Sequence, residues 1–69
     1  MRQKDYHGAI EEYTKALDIE PANARALYDL GRAYSESGDK ASARTAWEKA
    51  LAIDPSDAAT RQALEANQG

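Results

Sequence analysis

No cysteine occurs in this chain, so neither a disulfide nor a thiolate metal site can hold it together. Histidine is nearly as scarce. His7 stands alone, and a zinc site needs several ligands at defined spacing. No apolar run approaches the roughly 18 residues that a membrane-spanning helix requires. The opening Met1-Arg2-Gln3-Lys4-Asp5 leads into a polar, acidic stretch rather than an apolar core, so no secretory signal is expected. A cytoplasmic location is therefore the expectation. Basic residues do not dominate: 9 Lys and Arg face 12 Asp and Glu, a formal −3. Without a basic stripe, a nucleic-acid partner is not expected, and neither is a membrane.

The chemistry of enzymes is also missing. There is no glycine-rich phosphate loop, no paired Cys/His and no nucleophile–base constellation. Ser35, Ser37 and Ser42 lack an activating partner in any recognisable motif. Glu11-Glu12 and the Asp54/Asp57 pair read as a solvated helix face and a helix cap. The expectation is a protein that is not an enzyme, with no cofactor and no metal.

At 69 residues the chain makes one domain at most. Such a chain buries only about 60% of the surface it exposes when unfolded. Its stability must come from helix packing, from self-association or from a larger parent chain.

What the chain does contain is an internal period. Tyr13-Thr14-Lys15-Ala16-Leu17-Asp18-Ile19-Glu20-Pro21 returns 34 residues later as Trp47-Glu48-Lys49-Ala50-Leu51-Ala52-Ile53-Asp54-Pro55. At the same offset Asp5 meets Asp39, Ala9 meets Ala43, Ala24 meets Ala58 and Leu30 meets Leu64. A period of this length marks stacked helix-turn-helix units, none of which buries its apolar face alone.

Four helical segments follow from the apolar spacing. The first runs from about Asp5 to Ile19, with Ala9, Ile10, Tyr13, Ala16 and Leu17 on one stripe. Glu20-Pro21 ends it. Asn23 caps a second helix over 24–37, whose stripe is Leu27, Leu30, Gly31 and Tyr34. Gly38 suits the left-handed position after it, and Asp39 caps the third helix, 40–53. That helix carries Ala43, Ala46, Trp47, Ala50 and Leu51 on its stripe. Asp57 caps the fourth, 58–67, the most polar, with Ala63 and Leu64 as its apolar pair. The connections are short, so successive helices pack antiparallel. The fold class expected is all-α.

The residues from Ala24 to Asp57 resemble one full tetratricopeptide repeat. Leu27, Leu30, Gly31 and Tyr34 occupy the signature positions of its first helix. Ala43, Trp47 and Ala50 occupy those of its second, and Pro55 stands at the closing proline. The small residues let two helices approach, and the large ones fill the space between them. The resemblance implies an α-solenoid segment with a right-handed superhelical course. It divides the single domain, residues 1–69, into three parts. Residues 5–23 look like the second helix of a partial repeat, 24–57 like one full repeat, and 58–69 like a terminal sealing helix. Met1–Lys4 would be the last turn of the otherwise missing first helix. Arg61 and Glu65 stand where Leu27 and Gly31 stand one period earlier, which favours a seal over a true repeat.

In this family the first helix of each repeat lines a concave groove that holds a peptide or a partner helix. The resemblance therefore implies a protein-binding scaffold with Arg25, Tyr28, Asp29, Arg32 and Gln62 on the concave face, extended by Ser35 and Ala66. The same residues equally fit the solvated face of any amphipathic helix. A carboxylate clamp of lysines and asparagines, known in the family, is not implied, because the matching positions carry Tyr28 and Arg32. One full repeat offers a helix face of only about 20 Å. The missing first helix suggests an alternative. Tyr6, Ile10, Tyr13 and Leu17 would form an uncovered apolar flank, through which two copies could associate as a homodimer.

Overall fold

The computed structural model describes residues 5–67, which form four helices and, among these residues, no strand. Helix α1 spans Tyr6–Ile19, α2 Ala24–Ser37, α3 Lys40–Ile53 and α4 Ala58–Asn67. The assignment of Met1–Lys4 to a preceding helical turn lies outside the described residues.

Each helix starts on a short polar side chain that accepts from the amide three residues on. Asp5 accepts from Gly8 at 2.9 Å, Asn23 from Ala26 at 3.0 Å, Asp39 from Ser42 at 3.1 Å and Asp57 from Thr60 at 3.3 Å. Each satisfies an amide that the first helical turn leaves unpaired. The ends are just as regular. The Glu20 and Asp54 amides donate to the Ala16 and Ala50 carbonyls at 2.9 and 2.8 Å. The turns close through Asn23 to Glu20 and Asp57 to Asp54, both at 3.1 Å. The 34-residue period is thus carried by the backbone as well as by the side chains. Helix α2 ends differently, on Gly38 at φ 98°, with the Asp39 amide reaching back to the Tyr34 carbonyl at 2.9 Å. A left-handed residue there lets the chain reverse within two residues.

Helix α2 packs against α1 and α3, and α3 against α4. The core lies between α2 and α3. Ala26, Leu27, Leu30, Gly31 and Ala33 of α2 and Ala43, Ala46, Trp47 and Ala50 of α3 are all buried, with Ala33 on the α1 side of α2. Gly31 and Trp47 form the closest approach. A Cβ at Gly31 would fall on the indole, 2.6 Å from its Cε2. The bare backbone leaves room for the ring against α2, where its Nε1 donates to the Tyr28 carbonyl at 3.0 Å. Trp47 is left only 4% exposed with its one polar atom satisfied.

The two ends of the array differ. Helix α1 has no buried residue. Its Ala9, Tyr13 and Ala16 are half-buried, whereas Ala43, Trp47 and Ala50, one period later, are buried. At the other end Thr60 is fully buried, a position the apolar stripes do not predict. Its hydroxyl donates to Asp57 Oδ2 at 2.6 Å, so a polar side chain is buried with its hydrogen bond made. The 34-residue offset places Thr60 over Ala26, itself buried, which is where the signal for it resides.

Candidate partner-binding surface

Because α2 and α4 both pack on α3, a groove opens between them. It holds about 310 Å³ and is lined by Tyr28, Arg32, Ser35 and Glu36 on one side and Ala63, Ala66 and Asn67 on the other. Trp47 lies at its base, and Lys40 flanks it. The indole N–H is committed to Tyr28, so the ring contributes apolar surface rather than a donor. Arg32 and Glu36 stand 3.9 Å apart with both side chains about half exposed. Such a pair is screened and adds little to stability, which leaves Arg32 able to exchange Glu36 for another carboxylate. Asn67 Nδ2 donates to the Lys40 carbonyl at 3.1 Å and ties the end of α4 to the start of α3. Its Oδ1 is buried and, among the described residues, has no hydrogen-bond partner.

The expected concave residues are distributed as follows. Tyr28 and Arg32 share this groove, as do Ser35 and Ala66. Asp29 lines a separate depression on the α1 side of α2. Arg25 is exposed, pairs with Asp29 at 3.4 Å, and lies close enough to Asp57 to help hold its carboxyl ionised. Gln62 is exposed and lines neither hollow. Sequence reasoning did not assign Glu36, Lys40, Trp47, Ala63 or Asn67 to the groove. Lys40 and Asn67 meet across 27 residues through a backbone carbonyl, a contact that side-chain periodicity does not encode.

The α1 flank is divided by α2. Tyr6, Ala9 and Tyr13 line the depression of about 170 Å³ together with Asp29, Arg32, Ala33 and Glu36. Leu17 faces the other way, into a hollow of about 350 Å³ with Leu27, Leu30 and Tyr34. Ile10 is half-buried. Among the described residues the most exposed large apolar side chain is Ile19, at the end of α1.

The titrating groups follow the helix caps. Asp39 and Asp57 are both held below the usual carboxylate range, chiefly by side-chain hydrogen bonds from Ser42 and Thr60 and then by the capped backbone amides. Among the described residues no three His, Cys, Asp or Glu side chains gather into a possible metal site, and no helix is long and apolar enough to cross a membrane.

Antiparallel helix pairs repeating every 34 residues, with open grooves between them, define a helical-repeat scaffold that acts by contact. The chain belongs to the tetratricopeptide repeat family, whose model matches residues 1–67. It is 49% identical over 47 residues to cellulose synthase operon protein C of Escherichia coli K12, covering 68% of this chain and 4% of that protein. It is 41% identical over 56 residues to tetratricopeptide repeat protein 37 of Xenopus laevis, covering 80% and 4%. It is 37% identical over 59 residues to the Hsp70-Hsp90 organizing protein of Triticum aestivum, covering 86% and 10%. The chain thus spans a tenth or less of each of these proteins. Its general role is that of a protein-interaction scaffold.

Proposed function

We propose that the groove between α2 and α4 binds a segment of a partner protein, without catalysis, in the cytoplasm. The observation that carries this is the gathering of Tyr28, Arg32, Ser35 and Ala66 around Trp47 in one open groove. The partner segment that fits carries an apolar side chain to lie on Tyr28 and a carboxylate to take Arg32 from Glu36. Arg25, Asp29 and Gln62 extend the surface beyond the groove. In this reading residues 24–57 are the complete repeat, 5–23 a partial one, and 58–69 the seal, with Arg61 and Glu65 turned to solvent. The test is selection from a random peptide library, followed by titration of the selected peptide. Arg32→Glu and Tyr28→Ala should each lower affinity about tenfold or more while leaving the melting temperature nearly unchanged. If neither does, the groove is not the binding site.

A second reading is association of two copies through Tyr6, Ile10, Tyr13 and Leu17. It is favoured by the absence of any buried residue on α1. Light scattering across concentration decides it. A dimer that becomes a monomer in a Tyr6→Glu, Ile10→Glu double mutant that is still helical supports the reading, and a strictly monomeric wild type removes it.

A further inference from the structure

Helices α1 and α3 both pack on α2, and the hollow of about 350 Å³ that Leu17 enters is a trough between them. It shares no lining residue with the α2/α4 groove. Leu27 and Leu30 form its floor, both buried, with Leu17 and Tyr34 half-buried beside them. Ala41, Ser42 and Thr45 stand along its α3 wall. The two hydroxyls of that wall are already committed. Thr45 Oγ1 donates to the Ala41 carbonyl at 3.2 Å, and the Ser42 hydroxyl bonds the Asp39 carboxylate. Lys49 completes the wall; it is exposed and, among the described residues, makes no ion pair. The trough is therefore apolar along its length and carries one unengaged cation. The 34-residue period does not impose this character. In the register of Ala41, Ser42 and Thr45, α1 carries His7, Gly8 and Glu11.

We propose that this trough seats an acidic amphipathic helix of a partner protein. The helix carries two apolar side chains one turn apart and, one turn further on, a carboxylate that pairs with Lys49. Length sets the spacing. At the helical rise, Leu27 to Tyr34 covers about 10 Å of α2 and Ala41 to Lys49 about 12 Å of α3, which is two turns of an incoming helix. Backbone chemistry selects a helix over an extended segment. Both walls are helices whose main-chain groups are already bonded, so an extended segment would bury amides without partners, whereas a helix brings its own bonds. Charge sets the direction. The antiparallel course of α1, α2 and α3 brings Leu17, Leu27 and Lys49 to one end of the trough and Tyr34 and Ala41 to the other, so the carboxylate belongs at the Leu17 end. A second copy of this chain does not offer the pattern. Among the described residues its exposed large apolar side chains are Ile19 and Ile53, each alone at a helix end.

The site is separate from the groove between α2 and α4, so the two stand or fall independently. The probe is a displayed library of a rigid helical scaffold with one exposed helix face randomised, selected against the full chain. Two variants at exposed positions report on the trough. Lys49→Glu reverses its cation, and Thr45→Glu sets a carboxylate in its wall that also takes up Lys49 from the i, i+4 position. Both should melt close to the wild-type temperature. Selected helices should carry the apolar pair and the acidic residue, and should bind each variant about tenfold or more weakly. Arg32→Glu, in the other groove, should leave their affinity unchanged. A selected helix whose acidic residue is replaced by lysine should bind Lys49→Glu better than it binds the wild type, a rescue that a merely structural role for Lys49 would not produce. Selection that yields no helix distinguishing the wild type from Thr45→Glu overturns the proposal. So do helices without the acidic residue that tolerate Lys49→Glu, because the trough would then select on apolar surface alone. Sedimentation of the chain by itself supplies the remaining arm: a wild-type dimer that Thr45→Glu dissociates makes a second copy the occupant and overturns the assignment to a partner helix, whereas a monomer agrees with it.

Discussion

Replacing Gly31 by alanine is the sharpest probe of how this fold is held. In an exposed helix interior the change stabilises by about 0.5–1 kcal/mol, because glycine loses more backbone entropy on folding. Here the sign should reverse. The added Cβ would lie 2.5 Å from Trp47 Cδ1 and 2.6 Å from Cε2, well inside van der Waals contact. The neighbour is a rigid ring, 4% exposed and fixed by its bond to the Tyr28 carbonyl, so it cannot yield cheaply. Overpacking costs about 1–3 kcal/mol, and loosening the indole hydrogen bond costs about 1 kcal/mol more. Set against the entropic gain, the net loss is about 1–3 kcal/mol. For a chain of this size the melting temperature should fall by about 5–20 °C. Thermal melts followed by circular dichroism measure this, with tryptophan fluorescence reporting whether the ring is displaced. In a Trp47→Phe background, which removes the N–H and part of the ring, Gly31→Ala should cost less, and the difference is the coupling between the two residues. A Gly31→Ala protein that melts at or above the wild-type temperature would refute the close approach as the reason for glycine here.

Trp47→Ala should cost about 3–5 kcal/mol, enough to unfold a domain of marginal stability, and a helical spectrum with an unchanged urea midpoint would contradict that. Thr60→Val keeps the volume but removes the hydroxyl bond to Asp57, so it should lower stability by about 1 kcal/mol in urea titrations. Asp39 and Asp57 bind protons less readily in the folded than in the unfolded chain. Their contribution is therefore complete above the unfolded value of 3.8 and lost as pH falls through the lower folded values. Urea midpoints should stay flat from neutral pH to about pH 5 and decline below about pH 4, and Asp57→Asn, which keeps a capping oxygen but does not titrate, should make that decline shallower.

The helices were legible because their punctuation is local. Asn23, Asp39 and Asp57 each cap within three residues, and Gly38 and the two prolines mark ends by their own backbone limits. The close approach of α2 and α3 was legible because small and large residues recur at complementary places in the period, but the particular pairing of Gly31 with Trp47 was not. The groove was only half legible. Tyr28 and Arg32 follow from the family resemblance, but the opposite wall depends on how α4 leans on α3. Helical periodicity gives the direction of a side chain from its own axis, not the side of a neighbouring helix on which it falls. The α1 flank shows the same limit: one continuous stripe in sequence is split by α2 into Tyr6 and Tyr13 on one side and Leu17 on the other. Thr60 was missed because a hydroxyl in an apolar slot reads as surface until its bond to Asp57 is known.

Comparing the chain with itself separates the residues that hold the stack from those that give it chemistry. Ala9 and Ala43, Ala16 and Ala50, and the aromatic pair Tyr13 and Trp47 keep their character across the period. These positions set how closely two helices approach, and a change of one methylene there is felt as cavity or overpacking. Asp29 and Ala63, and Arg32 and Ala66, do not keep theirs, yet each of these four lines a groove. A groove position that is not part of the buried core is bounded by packing on one side only, so charge or methyl can stand there at little cost to folding. The scaffold thus leaves its recognition surface free to vary while its interhelical contacts stay fixed. Selectivity for a partner should accordingly change with substitutions at the groove positions that leave the melting temperature almost unmoved.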